Sequence, residues 1–159
     1  MKNETSKKFF LLFLGVLFLS FIIFNGFRQK DIVVSQGQTE KTTTISIGHK
    51  QIKAFVADTA ITQEKGLSGR ESVASDQAML FVFGVPAQYG IWMKDMKFPI
   101  DIFWLDQSGH IIFIKEDVLP SSYPEVFTPK SPALYVLEAR AGFATENDLK
   151  IGSEISFSK

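Results

Sequence analysis

A compact, mostly β domain of the α+β type is the architecture this sequence predicts: an antiparallel barrel-like or folded-over sheet with two short helices, preceded by one N-terminal transmembrane helix. Three observations predict it. After residue 42 the apolar residues come in short β-branched and aromatic runs, bounded by Gly, Pro, Asp and Ser. Helical patterning is confined to two brief stretches, one after Thr59 and one after Gly142. Before all of this, Phe9–Phe24 runs without a charge, with Ser20 as its one strongly polar side chain.

The bulk numbers agree with one domain and an appendage. The chain has 159 residues, 45% apolar and 13% aromatic, which is ample for a packed core. Net charge is zero but unevenly placed. Residues 1–31 carry five Lys/Arg against two Asp/Glu, and the remainder carries twelve against fifteen. The folded part is thus mildly acidic and has no basic stripe, which argues against nucleic acid as a partner. Without cysteine there are no disulfides, thiol nucleophiles or thiolate metal sites.

As a helix, residues 9–27 would span ~28 Å, close to the ~30 Å of a bilayer's hydrocarbon core. A cleaved secretory signal is the competing reading. It needs small residues at its end, whereas here the run closes on Phe21-Ile-Ile-Phe-Asn-Gly-Phe27. Residues 1–27 therefore read as a retained anchor, 28–41 as a polar linker and 42–159 as the β-rich domain. Lys2, Lys7 and Lys8 ahead of the span favour a cytoplasmic N-terminus, over Arg28 and Lys30 behind it. The expectation is a single-pass cell-membrane protein with its domain outside the cytoplasm, or a secreted one if the segment is cleaved.

Within the domain, Thr42–Ile47 and Gln51–Ala57 form a hairpin pattern around Gly48-His49-Lys50. Asp58 or Thr59 caps a short helix that ends at Gly66. Ala78–Phe83 is a continuous apolar run, read as a strand buried on both faces, and Pro86 should break it. Tyr89–Leu105 reads as strand, turn, strand: a central hairpin with both tryptophans. His110–Ile114 should pair antiparallel to Asp101–Leu105. Residues 119–132 hold four prolines and read as a long irregular loop of the kind that carries function. A strand at 133–139, a helix at 142–149 and a last strand at 153–157 complete the domain.

Several short motifs recur in a family's order: Gly66-Leu-x-x-Arg70, Met79-Leu-Phe81, Trp92-Met-Lys94, Pro99-Ile-Asp101, and Val136-Leu-Glu138 with Gly142. Over roughly residues 44–157 the chain resembles the domain of unknown function 192 family. The resemblance implies a small β-rich domain, often behind a signal or anchor, with no established function. The chain departs from the family pattern at Ser68, where Met is usual, and at Ala78, where Gly is usual. It also has Asp95-Met96 in place of Asn-Thr. Asp95 can still close an Asx-type turn, but Met96 cannot replace a hydroxyl.

The site candidates follow from charge beside apolar sequence. Asp101 must be paired or keep access to water. One reading pairs it with Arg70 as a structural bridge, and the other puts both in a ligand cleft. Arg70, Trp92, Lys94 and Asp101 are the ligand-binding candidates. Asp101 and Glu138 could form a carboxylate pair for general acid/base hydrolysis, the alternative reading. Equally, Glu138 could make a strand-end ion pair with Arg140. Met79, Met93 and Met96 raise soft-metal binding, but Met79 and Met93 lie in apolar runs where methionine fills gaps. No metal and no cofactor are expected. The preferred reading is a membrane-tethered binding module whose mouth is the central hairpin and loop 119–132, with an envelope protein or a glycan as partner.

Overall fold

The structure, a computed structural model, describes residues 40–157. The expected membrane span 9–27 lies outside the described residues, as does most of the expected linker. Among the described residues no helix is long and apolar enough to cross a membrane.

The domain is mostly β. A seven-stranded sheet curls into a half-barrel, accompanied by two short helices. Strands β1 (Thr42–Ile47) and β2 (Lys50–Ala57) form the expected hairpin, with Ile47 opposite Lys50. Gly48 supplies the positive φ, 56°, that so tight a turn demands. Helix α1 (Ala60–Lys65) follows, and Thr59 caps it. The Thr59 hydroxyl accepts the Thr62 N–H at 3.2 Å, while the Thr59 N–H donates to the Thr62 hydroxyl at 3.0 Å. The chain then enters β3 (Gln77–Ala87), which pairs parallel to β2. This is the sheet's one parallel pairing; α1 lies in the connection that permits it.

Pro86 does not end β3, which runs to Ala87. Instead the pairing with β8 (Ala133–Arg140) becomes irregular between Val82 and Ala87. Proline lacks the N–H of a regular ladder, so it sits where the ladder is already broken.

The expected hairpin within Tyr89–Leu105 does not form. β4 (Ile91–Trp92) pairs with β7 (Val126–Phe127) as a separate two-stranded ribbon. β5 (Ile100–Leu105) lies inside the main sheet, between β6 (Ile111–Val118) and β8. All six β5 residues are buried, so the strand is covered on both faces, and no alternation betrays which face each residue takes. β6 is antiparallel to β5, as expected. Loop 119–132 is partly regular: it contains a 3-10 turn at Pro120–Ser122 and then β7. Helix α2 (Phe143–Glu146) is shorter than expected, and the final strand β9 (Ser156–Phe157) runs beside β1.

The curl brings the C-terminal segment from β1 across to β6. The Ile111 N–H donates to the Ser153 carbonyl and the Ile155 N–H to that of Gly109. Two apolar clusters result. On one face lie Ile45, Leu80, Phe103, Leu137, Phe143 and Ile155. The other carries Leu67, Met79, Phe81, Met93, Ile102, Trp104 and Val136. The second cluster is covered by the β4–β7 ribbon and by loop residues such as Leu67, Val73 and Met93.

Candidate functional site

Asp101 belongs to the first face. It is completely buried, and both carboxyl oxygens are occupied. Oδ1 accepts the Asp117 N–H at 2.8 Å, and Oδ2 accepts the Ala144 N–H at 2.8 Å. The first bond anchors the irregular end of β6, where Asp117 has a positive φ of 50° and the β5–β6 register slips between Ile100 and Ile102. The second fixes the start of α2. Asp101 thus ties three elements together. The expected Arg70–Asp101 pair is absent. Arg70 instead meets Glu40 at 2.5 Å and lies over the Phe55 ring, 4.3 Å from its centroid.

Glu138 belongs to the second face. Along β5 and β8, Asp101 stands opposite Ala139 and Ile102 opposite Glu138. Side chains alternate across a strand, so the two carboxyl groups point to opposite sides of the sheet. The expected carboxylate pair for hydrolysis is therefore not formed. Nor does Glu138 bridge to Arg140, which binds Glu146, an ion pair that holds the Glu146 carboxyl below its ordinary range.

What surrounds Glu138 is a cleft of about 200 Å³. The α1 end and Gly66-Leu67-Ser68 form one wall. Phe81, Phe83 and the Tyr89–Trp92 segment with Met96 form the other. The ring of Phe83 stacks on that of Tyr89, with centroids 3.5 Å apart. Glu138 is 4% exposed. Its carboxyl accepts the Leu67 N–H, while Oε2 has no hydrogen-bond partner. It is the one such buried side-chain atom among the described residues. Burial among apolar side chains pushes the carboxyl up to about 8, against a smaller downward pull from the Leu67 N–H. Near neutral pH the group is therefore mostly protonated.

Gly66 keeps this arrangement open. It has a positive φ of 47°, and a Cβ there would come within 2.9 Å of the Phe81 ring and 3.4 Å of Glu138 Oε2. Only glycine leaves that space clear.

The two tryptophans separate. Trp104 is fully buried, and its indole N–H donates to the Tyr89 carbonyl at 2.8 Å. Trp92 is 42% exposed on the cleft's wall. Lys94 is exposed and does not line the cleft, but its carbonyl accepts the Ser68 hydroxyl at 2.7 Å. Beside it, Asp95 adopts a left-handed φ of 56° and accepts the Gly69 N–H through its carbonyl. The turn thus stands with Asp95-Met96 in place, and Met96 lines the cleft.

Of the candidates, then, Trp92 and Glu138 come together, while Arg70, Lys94 and Asp101 lie elsewhere. Loop 119–132 does not line this cleft; with the end of β6 it borders a separate hollow of about 280 Å³. As cleft-lining residues Phe83 and Tyr89 escape the sequence reading, which takes Gly66 only as a helix stop and family-motif residue and Met96 only as a soft-metal candidate. The sequence signal is alternation along β3, which puts Phe81 and Phe83 on one face; the register, with Met79 opposite Glu138, is what brings Glu138 to that face. Among the described residues no cluster of His, Asp and Glu could hold a metal ion.

A β-rich half-barrel with one buried, unpartnered carboxyl oxygen in an aromatic-walled cleft defines the class. Residues 42–157 match the family model DUF192, described as "uncharacterized ACR", and the chain belongs to that family. Two crystal structures share the fold. One, from Sinorhizobium meliloti 1021 and described as a proposed transcription regulator, is 24% identical, with a TM-score of 0.70 over 74% of this chain and 95% of that one. Another, a protein of unknown function from Novosphingobium aromaticivorans DSM 12444, is 24% identical, with a TM-score of 0.65 over 74% and 84%. At this identity they speak to fold alone. No curated protein matches the chain.

Proposed function

We propose that this protein is a binding module of the cell envelope, tethered by residues 9–27 with its domain outside the cytoplasm, and that its ligand enters the cleft above Glu138. One observation carries the reading. A buried polar atom almost always has a hydrogen-bond partner, and one without a partner calls for an explanation. Glu138 Oε2 lacks one while sharing a cleft with aromatic side chains and a half-exposed tryptophan. Polar atoms placed singly in apolar hollows are the usual form of a small-ligand site. The tether rests on the uncharged run at residues 9–27 and on the lysines before it.

The test is Trp92 fluorescence in the full chain, held in detergent, on addition of fractionated envelope glycan and of envelope protein. The reading expects one fraction to change the emission, and Trp92→Phe to abolish the change while Trp104 still emits. Turnover of any fraction that stops in Glu138→Gln would make the protein an enzyme and overturn the reading.

A further inference from the structure

We infer that the cleft receives an uncharged acetamido group, and that the ligand is an N-acetylated sugar of an envelope glycan. The inference rests on the cleft being a binding site, as proposed above, and adds which chemistry it selects.

The two oxygens of Glu138 differ in their surroundings. The Leu67 N–H occupies one, which is Oε1, because Oε2 has no partner. An oxygen that accepts an N–H is the poorer place for an acidic proton, so in the neutral carboxyl the proton sits on Oε2. Oε2 is then a buried O–H donor without an acceptor. What completes it is a ligand oxygen such as an amide carbonyl. A cationic ligand would require the ionised carboxylate, and burial of both charges is costly.

The walls narrow the choice further. Gly66 and the Phe81 ring lie beside Oε2, and Phe83 lines the same cleft, so the group beside the carbonyl should be apolar on that side. An acetamido methyl fits this, whereas the NH₂ of a primary amide would lose water against the ring. A terminal acetamido group reaches the carboxyl from the mouth without carrying chain past it on both sides. Trp92, 42% exposed on the cleft's wall, offers a flat apolar face to the ring that bears the acetamido group.

Other titratable groups bear little on the proton. Glu64, Lys65 and Tyr89 line the cleft, and the Tyr89 hydroxyl donates to the Val85 carbonyl. From β3 and β5 this face presents Met79, Phe81, Ile100, Ile102 and Trp104, all apolar. Arg70 and Arg140 are engaged by Glu40 and Glu146.

The test uses the full chain in detergent and calorimetric titration with three probes: the N-acetylglucosamine disaccharide, its de-N-acetylated form and an acetyl-lysine peptide. The acetylated disaccharide should bind, and above the Glu138 titration its affinity should fall about tenfold per pH unit as the Oε2 proton is lost. Glu138→Gln should keep the affinity, since its NH₂ still donates, and should remove the pH dependence. If that variant does not fold, the wild-type pH profile carries the same test.

Preference for the de-N-acetylated amine, affinity that rises with pH, or loss of binding in a folded Glu138→Gln would each overturn the inference. So would binding of the acetyl-lysine peptide alone, or of no probe. The wider reading is judged separately, by the Trp92 response to envelope fractions.

Discussion

Asp101 and Glu138 lie one register step apart on neighbouring antiparallel strands, with their carboxyl groups on opposite faces of the sheet. The separation divides their roles. Asp101 spends both oxygens on backbone N–H groups. Glu138 spends one and leaves the other bare. The first arrangement joins three elements of the fold, and the second leaves a polar atom exposed to the cleft's apolar walls.

Asp101→Ala should therefore destabilise the domain without touching the cleft. It leaves the Ala144 N–H buried and the Asp117 N–H partly buried, both without acceptors, at roughly 1–3 kcal/mol each. Urea unfolding should show a loss of about 2–4 kcal/mol. An unchanged midpoint would mean that Asp101 is not the tie between β5, β6 and α2.

Glu138 makes stability depend on pH with a defined sign. Folded, it holds its proton to about pH 8; its ordinary value is 4.5. Between these values the folded state binds the extra proton, so stability is full below the lower value and falls as pH rises towards the upper. The slope is up to about 1.4 kcal/mol per pH unit. Glu138→Gln removes this component, so the wild-type-minus-variant difference should decline from pH 5 to pH 8. A flat difference would show that the carboxyl is ionised in the folded chain.

Gly66→Ala tests the cleft's most crowded point. The left-handed backbone and the 2.9 Å approach to Phe81 both oppose a methyl group. Strain and overpacking together should cost about 1–3 kcal/mol, read by chemical denaturation. A neutral substitution would mean that Phe81 yields freely and that the wall is soft.

The two tryptophans should respond differently to truncation. Trp104→Ala removes a fully buried ring and should cost about 3–5 kcal/mol. Trp92→Ala, on a half-exposed wall, should cost far less while weakening any ligand. Equal costs in thermal unfolding would contradict the placement of Trp92 at the cleft.

Much of this fold was legible in the sequence, and the misses have physical causes. Local signals were read correctly: the Gly48 turn, the Thr59 cap with its stop at Gly66, and the antiparallel β5–β6 pairing. The family motifs placed the chain in the family whose model matches residues 42–157. What failed was long-range pairing. β4 joins β7 across more than thirty residues, and β5 joins β8, so the apparent hairpin between Trp92 and Trp104 never closes. No local pattern reports such partners. The site failed for a related reason. Asp101 and Glu138 are both charges beside apolar sequence, but only the register tells which face each carboxyl takes. In β5, buried on both sides, hydrophobic alternation carries no such information.

The account turns on a neutral Glu138 carboxyl near physiological pH. The most direct measurement is a carbon-13 NMR titration of that carboxyl in the full chain in detergent micelles, with Glu138→Gln to assign the resonance. A midpoint near pH 8 is predicted. A midpoint at the ordinary carboxylate value, near 4.5, would contradict the account, because Oε2 would then carry charge rather than a proton to donate.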